Sequence, residues 1–175
     1  MAKRVEKAEA LGFLSVVEHE QHGLFGGFLV LNLAGRPLEF HCTAPIKPNR
    51  AQQILYGPTL QPYLYGEQIG ATLAAKCSVE LLAIFTDSPH ALAVRNHTEV
   101  PVALVIVPKE QGGQSASGLS TFHFGENLLA VTVERHSDQE LIVQRLELAG
   151  TMELFEPFGR IRAAIEEAQR GSRAA

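Results

Sequence analysis

Three short stretches of this chain gather side chains able to do chemistry. In the densest, Glu39, His41 and Thr43 alternate along an expected strand, and Lys47, Asn49 and Arg50 follow two prolines at an expected helix start. A helix start offers unpaired amides and a positive dipole end, so with two bases beside it this joint suits a carboxylate or phosphate. The plainer alternative is that Asn49 caps its own helix while Lys47 and Arg50 meet water.

The second stretch packs Glu18, His19, Glu20 and His22 into a strand end or turn. Imidazole with carboxylate is a ligand set for zinc or another divalent ion, but the spacing matches no zinc motif and is not the helical HExxH arrangement. A solvated hairpin tip is the commoner meaning, so no metal or cofactor is assigned. The third stretch, Asp87, Ser88, Pro89 and His90, follows an apolar strand, where acids and hydroxyls often serve, yet a Ser-Pro turn accounts for it equally. Cys42 neighbours His41 in sequence, but adjacent strand residues point to opposite faces, so the two cannot form a nucleophile and base without another histidine brought in by the fold. Cys42 and Cys77 are read as small buried hydrophobes.

The elements that must position these residues follow from periodicity. Residues 2–11 carry helix formers and predict a short leading helix. Phe13–Val17 and Phe28–Leu31 read as strands, and the turn Asn32–Arg36 joins the second of these to a third as a hairpin. In that third strand Leu38, Phe40 and Cys42 are expected to face the core, with Glu39, His41 and Thr43 facing outward. Asn49 then caps a helix that Gly57 ends. Leu60 to about Lys76 predicts a second helix capped by Thr59, in which Gly66 and Gly70 would mark a close crossing. Apolar runs at 80–85, 91–94 and 100–107, separated by turn-sized intervals, predict an antiparallel meander. Residues 111–118 read as a flexible loop, and 122–124 with 128–133 as an interrupted strand or tight hairpin. Ser137 and Glu140 predict a capping box. Pro157 seeds a last helix with Phe158, Ile161 and Ile165 on one side. Tyr56, Tyr63 and Tyr65 cluster around the middle helices, where an amphipathic ring suits an interface or ordinary packing.

Together these predict one α+β domain over residues 1–175, with a mainly antiparallel sheet of about six to eight strands and flanking helices, a layout analogous in topology to profilin-like and sensor-type domains. The length, 46% hydrophobic and 19% charged residues describe a globular chain. A net charge of −4 with scattered bases lacks the electrostatic footprint of phosphate-backbone binding, so nucleic acid is not an expected partner. No apolar run reaches the roughly 18 residues of a membrane span. With two cysteines and no leader-like start, a cytoplasmic location is expected.

Pro37, Leu38, Glu39 and Phe40, followed by Pro45, Pro48, Gln53 and Ile54-Leu-Tyr-Gly57, resemble the pattern of a group of small uncharacterised bacterial proteins, in which a hairpin strand leads through spaced prolines into a helix. The resemblance covers about the first half of the chain and implies no activity. The residues themselves favour a non-enzymatic module that binds a partner protein or small anionic ligand through Glu39, His41, Thr43, Lys47, Asn49 and Arg50. A homo-oligomer built on the Tyr56–Tyr65 helices or the last helix is a further expectation. The alternative is a hydrolase-type or metal-assisted enzyme drawing on His19, His22 and His41 with Cys42 or Asp87.

Overall fold

The computed structural model describes residues 9–107, 118–150 and 152–173. Seven strands form one mixed sheet: β1 (Ala10–His19), β2 (Gly23–Asn32), β3 (Pro37–Cys42), β4 (Leu81–Thr86), β5 (Val102–Ile106), β6 (Leu119–Phe124) and β7 (Asn127–Thr132). Their order across the sheet is β3-β2-β1-β4-β5-β7-β6. Pairing is antiparallel except at β1 with β4 and β4 with β5. The fold is α+β with a mostly antiparallel sheet, as the sequence predicts.

Both faces of the sheet are covered. On one lie the helices α4 (Asp138–Leu146) and α5 (Glu156–Arg173), and Phe158, Ile161 and Ile165 of α5 are buried against Phe13, Leu29 and Phe85. The other carries a continuous helical rod: a 3-10 turn Gly57–Thr59, the short α2 (Leu60–Pro62), a π-helical segment Tyr63–Ala71 and α3 (Thr72–Ala75). Leu64, Ile69 and Leu73 of this rod pack with Leu14, Phe28 and Ile84. Two adjacent glycines of β2 make both contacts close. A Cβ at Gly26 would stand 2.2 Å from the Ile69 Cγ2, and one at Gly27 would stand 2.4 Å from the Ile161 Cγ2.

Several local expectations hold. Asn32 accepts amides from Ala34 and Arg36 through Oδ1, and Gly35 takes φ +80°, which closes the β2–β3 hairpin. Asn49 caps α1 (Arg50–Tyr56) at 2.8 Å from the Gln52 amide, while Gln52 returns a bond to the Asn49 amide. A Cβ at Gly66 would lie 2.5 Å from that of Ala93, so the rod does cross another element closely there.

Other expectations are corrected. The leading helix falls mostly outside the described residues, and its final residues Ala10 and Leu11 already belong to β1. The 111–118 loop, up to Gly118, also lies outside them. The run 91–94 is not a strand but part of a 3-10 helix, Pro89–His97, whose Ala91, Leu92 and Val94 are buried. Short apolar runs fit a buried helical turn as well as a strand. That helix carries the chain over the sheet, so β5 enters parallel to β4 and no meander forms. Thr59 does not cap the rod; its hydroxyl donates back to the Tyr56 carbonyl at 2.7 Å. Ser137 is itself helical and makes no capping bond, so α4 starts without the expected box.

The largest correction concerns β3. Leu38, Phe40 and Cys42 are exposed, whereas Glu39, His41 and Thr43 are half-buried. The alternation is right and the side is wrong, because β3 is an edge strand beyond the reach of α5, while Ser78 covers the other side.

Candidate functional site

The expected joint does not assemble as one site. Glu39 and His41 do meet, with His41 Nε2 at 2.8 Å from Glu39 Oε2. Ser78 closes on the same carboxylate through its amide at 3.1 Å and through its hydroxyl. The Ser78 bonds, then that from His41, hold the Glu39 carboxyl below the usual glutamate range. Thr43 turns away, accepting the Gly26 amide at 3.0 Å. Lys47 lies by Gly23, at the far end of β2, and Asn49 is spent on its own helix. Among the described residues no hydrogen bond or ion pair joins Lys47, Asn49 or Arg50 to Glu39 or His41.

The histidines are dispersed as well. His19 and His22 stack at 4.7 Å between centroids in the β1–β2 turn, where His19 Nδ1 accepts the amides of Gln21 and His22. That nitrogen is committed to the turn. Among the described residues no three of His, Cys, Asp or Glu converge as metal ligands. Cys42 points to the opposite side of β3 from His41. Cys77 gives its thiol proton to the Val79 carbonyl, and burial pushes that thiol up. Among the described residues the histidines expected to act with Cys42 or Asp87 therefore do not cluster.

A different constellation forms where two strands run parallel. Leu14 of β1 stands beside Thr86 of β4, which brings Ser15, midway along β1, level with Asp87 just past the carboxyl end of β4. The sheet has β2 and β3 on one side of this point and β5 on the other. Ser15 is fully buried, and its Oγ donates to Asp87 Oδ2 at 3.1 Å. Arg162, carried on α5, reaches the same carboxylate oxygen. The three residues are held from three directions: β1 by its sheet partners, Asp87 by the end of β4, and α5 by Phe158, Ile161 and Ile165.

The electrostatics of this trio are unequal. Burial pushes the Asp87 carboxyl up; the charge of Arg162 and then the Ser15 hydroxyl pull it down without cancelling that push. The Asp87 side chain is only 8% accessible, while that of Arg162 is 49% accessible. A carboxylate with raised proton affinity thus sits beneath a guanidinium that solvent reaches. Tyr65 lies nearby; burial, then the charges of Glu18 and Asp87, raise its hydroxyl, and its ring meets His90 edge-on at 5.6 Å. Sequence reasoning weighed Asp87 but passed over Ser15 and Arg162. A lone hydroxyl inside the apolar run Phe13–Val17 was the available signal.

A cavity of about 340 Å³ opens elsewhere, lined by His90, Arg95, Asn96, Thr132 and Arg135 among others. It shares no residue with the trio. Its Arg95 is already engaged: it holds Asp138 at 2.8 Å and the Thr98 carbonyl at 2.7 Å, and so fastens α4 to the Pro89–His97 helix.

No family model and no curated protein matches this chain. Among solved structures it is similar to endonuclease V of Ciona intestinalis, crystallised in complex with a 23-mer DNA containing an inosine followed by a ribo-adenosine; 73% of this chain and 72% of that one overlap, at 10% identity and a TM-score of 0.40. Two expectations run counter to that neighbour, an endonuclease crystallised with DNA: that of a non-enzymatic module and that of a chain for which nucleic acid is no partner. At that TM-score the overlap carries no argument about chemistry, which rests on this chain's own residues. Among the described residues no helix is long and apolar enough to cross a membrane.

Proposed function

We propose that the chain is an enzyme that opens phosphodiester bonds of nucleic acid at the centre formed by Ser15, Asp87 and Arg162. One observation carries the reading: a buried carboxylate with raised proton affinity is masked by a half-exposed guanidinium. A phosphate arriving from solvent meets Arg162 first and competes with Asp87 for it, because guanidinium pairs with phosphate as readily as with carboxylate. Asp87 is then freed as a base.

The step balances without further partners. Asp87 takes a proton from water as the water oxygen bonds to phosphorus; the bond from phosphorus to the leaving sugar oxygen breaks, and that oxygen receives the proton from Asp87. Arg162 offsets charge on the phosphoryl oxygens. Ser15 fixes the carboxylate by donating to Oδ2, so its role is positioning.

Labelled single- and double-stranded DNA and RNA oligonucleotides, incubated with the purified chain with and without added magnesium, test this by denaturing electrophoresis. Cleavage by the wild type, reduced roughly 10²–10⁴-fold in Asp87→Asn, is the expected result. Absence of cleavage across the panel, or full activity in a folded Asp87→Asn, overturns the assignment.

A further inference from the structure

A surface helix ordinarily turns its aliphatic side chains to the core and its polar ones to water. In α1 the arrangement is reversed. Gln52 and Tyr56 are its half-buried residues, and Tyr56 stacks on Tyr63 of the rod at 4.3 Å between ring centroids. Ile54 and Leu55 face solvent at 64% and 82% accessible, the two most exposed large apolar side chains among the described residues. Arg50 stands one turn before Ile54 on that same outward side, and Lys47 lies just ahead of the helix. Both bases are exposed, and among the described residues no ion pair engages either. No aspartate or glutamate occurs between Glu39 and Glu67, in a chain that carries 19 acids against 15 bases. Glu67 lines a hollow together with Tyr56, on the side by which α1 is anchored.

We propose that the outward side of α1 docks on an anionic lipid bilayer, with Ile54 and Leu55 entering the acyl boundary and Lys47 and Arg50 meeting lipid phosphates. Attachment to a membrane surface draws on apolar area and on attraction to anionic headgroups together, and this patch supplies both without an opposing acid. Two aliphatics and two bases make a weak and reversible anchor, of the order that a single acyl chain gives. Other occupants fit less well. A protein groove reads a helix through anchors at i, i+3 or i+4 and i+7, and α1 has neither that length nor that spacing, since its two aliphatics are adjacent. A second copy docked isologously would set these bases against themselves with no acid in the patch to answer them. Single-stranded nucleic acid stacks its bases on aromatic rings and arginine planes, not on aliphatics. The surface also lies apart from the trio, because Arg162 comes from α5, across the sheet from the rod that α1 leads into.

Co-sedimentation of the full chain with sucrose-loaded vesicles reads the binding. Vesicles of phosphatidylcholine with phosphatidylserine should carry the protein down, vesicles of phosphatidylcholine alone should not, and salt should weaken the binding. Leu55→Ser should lower the partition coefficient at least about tenfold, and Lys47→Gln or Arg50→Gln should lower it about fivefold each. All three residues are exposed, so circular dichroism should report an unchanged fold. Val133→Ser removes an aliphatic that is 58% accessible but lies outside α1, and it should bind as the wild type does. No pelleting with phosphatidylserine vesicles, a Leu55→Ser variant that binds like the wild type, or an equal loss in Val133→Ser overturns the proposal. So does a wild type that dimerises, or that binds a single-stranded oligonucleotide, in a manner that Leu55→Ser abolishes, since another occupant would then cover the patch.

Discussion

Asp87 and Glu39 each accept a serine hydroxyl and each have a basic side chain alongside, yet their proton affinities move in opposite directions. Surface accessibility alone does not separate them, at 8% for the Asp87 side chain and 15% for that of Glu39. Depth does. Glu39 lies on an edge strand under a thin cover of Ser78 and His41, so water screens it from nearby and its hydrogen bonds decide. Asp87 lies between α5 and the sheet at the rim of a packed core, where lost hydration outweighs a formal cation. One region is a surface cluster satisfied by its donors; the other holds a carboxylate short of solvation, and that shortage makes a base.

The contrast can be broken most heavily through the packing that creates the depth. Phe158→Ala should cost about 3–5 kcal/mol in urea unfolding and release Arg162 from Asp87, while leaving the Glu39–His41 contact, visible as an unshifted His41 resonance by NMR. Next, Arg162→Met should destabilise the chain at neutral pH by about 1–2 kcal/mol, below the cost of breaking a fully buried pair because the arginine is half in water. The loss should shrink on acidification, as Asp87 takes up a proton and no longer needs the cation. Ser15→Ala removes a single bond and should cost about 1 kcal/mol, with the Asp87 carboxyl moving further up by carboxylate NMR.

The smallest effect is the most specific. The Asp87 affinity is raised in the folded chain, so the native state holds that proton more tightly than the unfolded one. Its contribution to stability is full below the ordinary aspartate value of 3.8 and is lost as pH rises through the folded value. For Glu39 the sign reverses: its contribution is present above the ordinary glutamate value of 4.5 and is lost as pH falls through the lowered one. Stability differences of Asp87→Asn and Glu39→Gln from the wild type, followed across the acid range, should therefore slope in opposite directions. Parallel slopes would mean that the two carboxylates share one environment.

Several roles that residues play toward their own neighbours could be read from sequence, although the expected caps at Thr59 and Ser137 do not form. Asn32 and Gly35 close a turn, Asn49 caps the helix that follows it, and the i, i+3, i+7 spacing of Phe158, Ile161 and Ile165 buries one side of α5. The period of two in β3 was equally legible, but not which side would be covered, since alternation fixes two faces and says nothing of what packs on either. The run 91–94 was ambiguous for a related reason: four apolar residues fit a buried turn or a strand, and only the neighbouring rod, pressing Gly66 onto Ala93, selects between them.

By itself, then, the sequence determined much of the local geometry: the Asn32–Arg36 turn, the Asn49 cap, the periodicity of strand and helix, and the close approaches at Gly66 and Gly70. Tertiary structure alone decided the candidate centre. Ser15 lies 72 residues from Asp87, and Arg162 lies 75 residues beyond it. What joins them is the parallel register of β1 and β4 and the docking of α5, contacts whose free energy comes from burying a core shared across the whole chain and not from any property of the three residues.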